Sequence, residues 1–308
     1  MATSAQQKST NVRNSSVPWH VRAVVSVGSI LAPQHTAERA LQLFCTPLSS
    51  SRSRAAQADL NGAVQERIDF KGEALVTYRW GEVGVQPTVL LSHGWSSFGL
   101  RFFPWVTMLR SAGYAVLAFD QPGHGRNSPA LITLPGFAET VVAIGKHFGH
   151  FAAAIGHSLG GAALALAMRD GFSVDKLILL APAADGTEAS RRFAQAIALP
   201  EHRRAAMQSL LEQRTSKAMR NMAIHNVAPH LSKPALIIHD LEDVDVPWAE
   251  GERYARYWPN ARLLSVTGLG HHKIVNDSAV IAAGQAFLRD EIVGQRVIST
   301  QELVYGFA

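Results

Sequence analysis

A single cysteine, Cys45, stands in this 308-residue chain, so no internal disulfide can staple it and no cysteine-based metal site can form. Runs of eighteen or more apolar residues are absent as well, which leaves nothing in the sequence long enough to span a bilayer as a helix. Acidic residues are missing before Glu38: residues 1–58 hold Lys8, Arg13, Arg22, Arg39, Arg52 and Arg54 against that one glutamate. The rest of the chain carries 23 basic and 23 acidic side chains, so the net charge of +5 belongs entirely to the N-terminal segment. A charge-balanced body offers no basic face, and a nucleic-acid partner is excluded on that ground. Nor do His, Asp and Glu gather at metal-ligand spacing in a way that calls for a metal, and no cofactor is expected.

The basic segment admits two readings. Residues 1–16 are rich in Ser and Gln and too poor in apolar side chains to pack, so they are expected to be disordered. Val17 to Ala32 is apolar but broken by Arg22, and Ala37 to Phe44 has helical spacing. Basic, hydroxylated and free of early acids, the segment has the composition of a cleaved targeting peptide. Ser26, Gly28 and Ser29 interrupt its apolar stretch, however, which favours a helical extension packed on the body and a cytoplasmic protein.

From residue 66 the pattern becomes regular. Glu66 to Phe70 and Ala74 to Trp80, joined by Lys71-Gly72, read as an antiparallel hairpin. Short apolar runs without alternation follow at 89–91, 115–119, 151–155, 177–180, 235–238 and 263–266, the signature of strands covered on both faces. Amphipathic stretches near 101–112, 135–148, 159–170, 248–257 and 277–293 lie between and after them, giving a doubly wound α/β pattern. Between Asp185 and Ser232 the alternation stops for a polar, helical insertion containing Arg191, Arg192, Arg203, Arg204, Arg214, Lys217 and Arg220. These cations would either form an electropositive roof for anionic substrates or simply face water, and the second is the ordinary behaviour of long basic side chains.

Gly156-His157-Ser158-Leu159-Gly160 ends one apolar run and opens an Ala-rich helical stretch. A strand that turns sharply into a helix at a serine lifts the hydroxyl above the sheet edge, and the helix N-terminus behind it favours developing negative charge. Ser158 is therefore read as a nucleophile. A serine needs a base and an orienting acid. Both follow: Thr267-Gly268-Leu269-Gly270-His271-His272 is a Gly-rich loop able to present an imidazole, and the run 235–238 leads into Asp240, Asp243 and Asp245. His93, His124 and His157 read as loop-shaping residues.

Five landmarks in this order resemble the α/β-hydrolase superfamily, in its serine-nucleophile, esterase- and lipase-like branch: Ser92-His93-Gly94-Trp95, Phe119-Asp120-Gln121-Pro122-Gly123-His124-Gly125, the serine elbow, Asp243-Val244-Asp245-Val246-Pro247, and Gly268-Leu269-Gly270-His271. The resemblance implies a mostly parallel eight-stranded sheet with helices on both faces and a helical lid. It selects Asp243 over Asp240 and Asp245, and His271 over His272, giving a triad of Ser158, Asp243 and His271. It also places the oxyanion hole at the backbone amides of Trp95 and Leu159. The implied division is an N-terminal extension (1–58), a core (59–184 and 233–294), a lid (185–232) and a C-terminal tail (295–308). Relatives that open epoxides or remove halide carry aspartate at the elbow, so Ser158 points instead to hydrolysis of a carboxylic ester or thioester through an acyl-enzyme on a small-molecule acyl substrate. Carbon-carbon bond hydrolysis, perhydrolysis, acyl transfer and slow-turnover ligand reception use the same groups and stay open. All landmarks follow residue 88, so the N-terminal segment is expected to be dispensable for the chemical step.

Overall fold

The computed structural model describes residues 17–297; residues 1–16, expected to be disordered, and 298–308 of the C-terminal tail lie outside them. Three helices come first: α1 (Trp19–Leu31), α2 (Pro33–Phe44) and α3 (Ser49–Gln57). A hairpin of β1 (Val64–Phe70) and β2 (Glu73–Trp80) follows, then β3 (Thr88–Ser92), α4 (Phe103–Ser111), β4 (Ala115–Phe119), α5 (Leu134–Phe148), β5 (Ala153–His157), α6 (Leu159–Arg169) and β6 (Leu177–Leu180). Between β6 and the next strand lie α7 (Gly186–Ala196), α8 (Glu201–Thr215) and the short α9 (Ile224–Val227). The chain then forms β7 (Ala235–Asp240), α10 (Trp248–Tyr257), β8 (Ala261–Val266), the single turn α11 (Gly270–Lys273) and α12 (Ser278–Leu288).

The eight strands make one sheet in the order β1-β2-β4-β3-β5-β6-β7-β8, antiparallel at β1/β2 and β2/β4 and parallel elsewhere. This is the α/β-hydrolase architecture. Successive residues of a strand face opposite sides, and both sides are covered. Leu117 and Phe119 of β4 pack with Phe137, Val141 and Ile144 of α5, whereas Val116 and Ala118 pack with Trp105 and Leu109 of α4. Side chains of α12, among them Val280 and Phe287, join the α4 face, which explains why the strand runs are apolar without alternation.

Two sequence boundaries shift. The run 151–155 misplaces its strand: Phe151 makes only an isolated bridge to Val174, and β5 instead runs on through Gly156 and His157 to the elbow. Glycine and histidine are weak strand formers, but pairing of Gly156 with Leu179 and His157 with Leu180 holds them in the ladder. At the other end α12 stops at Leu288, Asp290 takes a positive φ, and Gln295 pairs back onto Leu263 of the edge strand β8. That pairing protects an otherwise open sheet edge.

The N-terminal helices are built into the body. Buried Ala40 and Leu41 of α2 join the core that holds Met207 and Leu211 of α8, and the Phe44 ring lies 5.1 Å from that of Phe193 on α7. Arg203 donates to the Ser29 carbonyl at 3.0 Å. Cys45, at the end of α2, is buried, and burial pushes its thiol up to about 11, so it stays protonated and inert.

Candidate active site

Ser158 stands between β5 and α6 with φ 52° and ψ −122°, a conformation that L residues rarely hold. The strain falls on the serine itself. Its flanking glycines serve close approach instead: a Cβ on Gly160 would lie 2.3 Å from the Ser92 carbonyl oxygen and 2.4 Å from that of His93, and one on Gly156 would lie 2.7 Å from the Gly161 Cα. The end of β3 is thereby pressed against the first turn of α6. Gly160→Ala is expected to force the two backbones apart, costing about 1–3 kcal/mol or more, and to remove labelling of Ser158 by an active-site phosphonate. Thermal melting and labelling of the variant check this, and a normal melt with full labelling would refute it.

That contact brings the oxyanion candidates to the elbow. A Cβ on Gly94 would lie 3.0 Å from the Ser158 Cβ, so the Gly94-Trp95 peptide borders the serine. Among the described residues, neither the Trp95 nor the Leu159 amide donates to a backbone carbonyl outside helices and strands. The Trp95 ring stacks on Phe137 at 6.1 Å and meets His124 edge-on at 5.2 Å, which makes its side chain a wall of the same region.

Asp243 and His271 are joined by a 2.7 Å bond between Oδ2 and Nδ1. Asp243 lies in the turn after β7, where its Oδ1 accepts from the Asp245 and Val246 amides, each at 2.9 Å. His239, whose Nε2 donates to the Val246 carbonyl, lies 3.4 Å from the Asp243 carboxylate. Burial works to raise the Asp243 pKa, but the hydrogen bonds from His239, His271 and the Val246 amide outweigh it and hold the carboxyl below the usual range. An ionised Asp243 has no proton to offer, so Nδ1 of His271 is the donor in this bond. The His271 carbonyl accepts from His157 Nε2 at 2.8 Å, and the two rings lie 4.7 Å apart. Imidazole and serine elbow are thus tied together through the residue preceding Ser158.

The competing residues take other places. Asp240, fully buried at the end of β7, accepts from the Leu269 amide at 2.7 Å and from Glu242, bracing the histidine loop from below. Asp245 and His272 are exposed and 3.7 Å apart at the rim. His93 accepts from the Gln121 amide through Nε2 and donates from Nδ1 to the Gly94 carbonyl, joining the loops after β3 and β4. Sequence reasoning missed Asp120 as an organiser: its buried carboxyl accepts from Gly99 N, Arg126 N and the Tyr78 hydroxyl. It also missed Glu250, which accepts from the Ala184 amide at 2.7 Å and pairs with Arg192, clamping α7 to α10. For Glu250, a place in the first turn after Pro247-Trp248 carries no signal of this role.

Three buried histidines carry a pH consequence. Burial holds His93 down at about 4 and His124 at about 3, and His157 well below its ordinary 6.5. Above pH 6.5 these rings are neutral in both folded and unfolded chains and contribute nothing to the pH dependence. As pH falls from 6.5 toward about 4, the unfolded chain binds protons that the folded one refuses, and stability is lost. The melting temperature is therefore expected to drop steadily between pH 7 and pH 4; a flat profile would contradict the burial of these rings as neutral groups.

The segment before the sheet packs on the body and reaches the site's border. Leu48 N donates to Ser96 Oγ at 3.0 Å and Arg54 donates to the Ser96 carbonyl, one residue beyond Trp95. Arg126, in the loop after β4, donates to the Ala55 and Ala58 carbonyls. In the insertion, Arg191, Arg192, Arg204 and Lys217 are paired with Glu188, Glu250, Glu201 and Glu139, so these cations do not form an unneutralised roof. A groove of about 470 Å³ lined by Arg101, Leu269, His272, Lys273, Asn276 and Asp277 opens beside the histidine loop. Among the described residues no group of three or more His, Cys, Asp or Glu could hold a metal, and no helix is long and apolar enough to cross a membrane.

A family model described as serine aminopeptidase, S33, matches residues 84–245, more than half of the chain. No curated protein matches the sequence. Solved structures that match include an esterase from a Rhodococcus species (18% identity, TM-score 0.54), covering 74% of this chain and 98% of its own. The alpha/beta hydrolase domain-containing protein 10 from mouse matches at 20% identity and TM-score 0.57, over 74% of this chain and 98% of its own. A thioesterase domain from the curacin biosynthetic pathway matches at 18% identity and TM-score 0.55, over 74% and 99%. At such identities these likenesses are likenesses of fold.

Proposed function

We propose, from the premise that the chain belongs to the serine aminopeptidase (S33) family of α/β-hydrolases, that it hydrolyses a carboxylic ester or thioester through an acyl-enzyme at Ser158. The observation that carries this reading is the buried 2.7 Å Asp243–His271 bond beside a serine held at φ 52°. In the proposed cycle Ser158 Oγ attacks the acyl carbon as its proton passes to His271 Nε2, and Asp243 stabilises the imidazolium. The amides of Trp95 and Leu159 hold the tetrahedral oxyanion, each donor supplying about 3 kcal/mol. Collapse expels the alcohol or thiol, which takes the proton from His271. Water then repeats the sequence on the acyl-enzyme, releasing the acid and restoring Ser158.

Residues 59–184 and 233–294 are read as the catalytic body and 185–232 as the lid. Ser158 and His271 are each only 8% exposed. The esterase and thioesterase among the matching structures support this class of reaction by analogy. A panel of p-nitrophenyl esters and acyl thioesters of increasing chain length tests the reading. Saturable turnover on at least one of them, with a burst of released alcohol or thiol as the acyl-enzyme forms, is the expected result. Absence of turnover on every member by a folded, phosphonate-reactive protein would reject hydrolysis of esters and thioesters.

A further inference from the structure

Two guanidinium groups from distant parts of the chain converge on the border of the candidate active site. Arg54 of α3 donates to the Ser96 carbonyl at 3.3 Å, one residue past the Trp95 amide. Arg101, in the short helical turn Gly99–Phe102 before α4, donates to the His272 carbonyl at 2.9 Å, one residue past the His271 ring. The two lie close enough that, after burial, the Arg54 charge is what pulls the Arg101 pKa down. Burial also leads the causes that hold His93, His157 and His272 below their ordinary 6.5, and the Arg101 charge is a further cause for each. Arg101 is thereby within electrostatic reach of the oxyanion loop and of the residue preceding Ser158. Arg52, also on α3, donates at 3.4 Å to the Gly123 carbonyl, in the loop that carries His124, whose ring meets Trp95.

The protein does not neutralise these cations. Among the described residues no carboxylate pairs with Arg52, Arg54 or Arg101, whereas Arg191, Arg192, Arg204 and Lys217 of the insertion each have one. The acids at this rim are engaged: Asp243 is bonded to His271, Asp245 faces His272, and Asp277 Oδ1 accepts from the Ala279 and Val280 amides at the start of α12. Arg101 is half-buried and gives one Nη2 donor to a carbonyl; among the described residues no hydrogen bond uses its Nε or Nη1. Exposed arginines ordinarily face water singly. Two held together repel, and an anion between them turns that repulsion into attraction. The planar donor fork of arginine matches a carboxylate or a phosphate. Beside Arg101 and Lys273, the groove of about 470 Å³ gives room for the part of a substrate that would carry such a group.

We infer that Arg54 and Arg101 form an anion subsite at the border of the Ser158 site, selecting acyl substrates that carry a carboxylate or phosphate away from the scissile carbonyl. This names a substrate class for the proposed hydrolysis and rests on that reading. Arg52 and Lys273 add charge to the same rim, so part of the positive excess of the N-terminal segment is delivered to the site.

Two matched substrate pairs test it and locate the charge. Mono-p-nitrophenyl glutarate against p-nitrophenyl pentanoate places a carboxylate on the acyl group. Butyryl-coenzyme A against the butyryl thioester of N-acetylcysteamine places phosphates on the leaving group. In at least one pair kcat/KM is expected to favour the anionic member, with the preference shrinking as salt is raised. Arg101→Gln and Arg54→Gln should each reduce that preference about ten-fold, and Arg101→Lys should keep more of it than Arg101→Gln. No preference in either pair by the unaltered protein would overturn the inference, as would a loss in both Gln variants that is equal for anionic and neutral members. The rate at which Ser158 is phosphonylated by a fluorophosphonate with a carboxylate tail, against the methyl ester of the same probe, reads the subsite without turnover. A chain that hydrolyses no ester yet prefers the anionic probe loses the hydrolytic reading and keeps the anion subsite; one that hydrolyses esters with no preference for charge does the reverse.

Discussion

Ser158→Ala is expected to lower turnover on the order of a million-fold and to abolish covalent labelling by a fluorophosphonate, with little change in melting temperature. Alanine keeps the Cβ that the elbow already accommodates, so the φ of 52° is no harder to hold, and only the nucleophilic oxygen is removed. The residual rate would come from the Trp95 and Leu159 amides and from substrate positioning, which act without the serine. Mass spectrometry of the phosphonylated protein locates the label. Labelling that persists at full intensity in Ser158→Ala, or that falls on another serine, would remove Ser158 from the mechanism.

Asp243→Asn is expected to cost about ten-thousand-fold in the turnover number with a modest change in KM. The amide would present N–H where a carboxylate oxygen now accepts from His271 Nδ1, turning the imidazole to the wrong tautomer for taking the Ser158 proton. Two controls separate this from general damage. Asp245→Asn changes an exposed rim residue and should leave turnover within a few-fold of normal. Asp240→Asn should lower stability by about 1–3 kcal/mol, because Asp240 accepts from the Leu269 amide inside the protein, with a smaller effect on turnover than Asp243→Asn. Steady-state kinetics on a soluble ester, with melts of all three variants, decides the matter: a near-normal Asp243→Asn enzyme would move the orienting role elsewhere.

The sheet and its covering helices were legible because they follow from local rules. Apolar runs of strand length mark positions buried on both faces, and a serine between a strand and an Ala-rich helix marks a sharp turn; neither depends on distant parts of the chain. A serine elbow followed by a cluster of aspartates and then a Gly-rich histidine loop was readable in the same local way, each being a short loop with its own composition. Where local chemistry was ambiguous, as among Asp240, Asp243 and Asp245, residue type alone could not choose, and the resemblance was needed to select one. Tertiary structure separates their surroundings: one carboxylate meets the imidazole, one braces the loop beneath it and one faces water.

Long-range packing accounts for the rest. No pattern around Ser96 announces that Leu48 and Arg54 come to it from more than forty residues away. Glu250 and Arg192 sit on helices far apart in the chain, and either alone reads as an ordinary surface charge. The glycines of the elbow were visible, but their reason was not: close approach of the β3 end to α6 is a property of neighbours in space. For α1 the sequence supplied an apolar stretch broken by Arg22, while only the packed chain decided which side of the helix is buried. Composition and periodicity determine what a segment can bury; the contacts of the folded chain determine what it does bury, because burial is a relation between segments and not a property of either one.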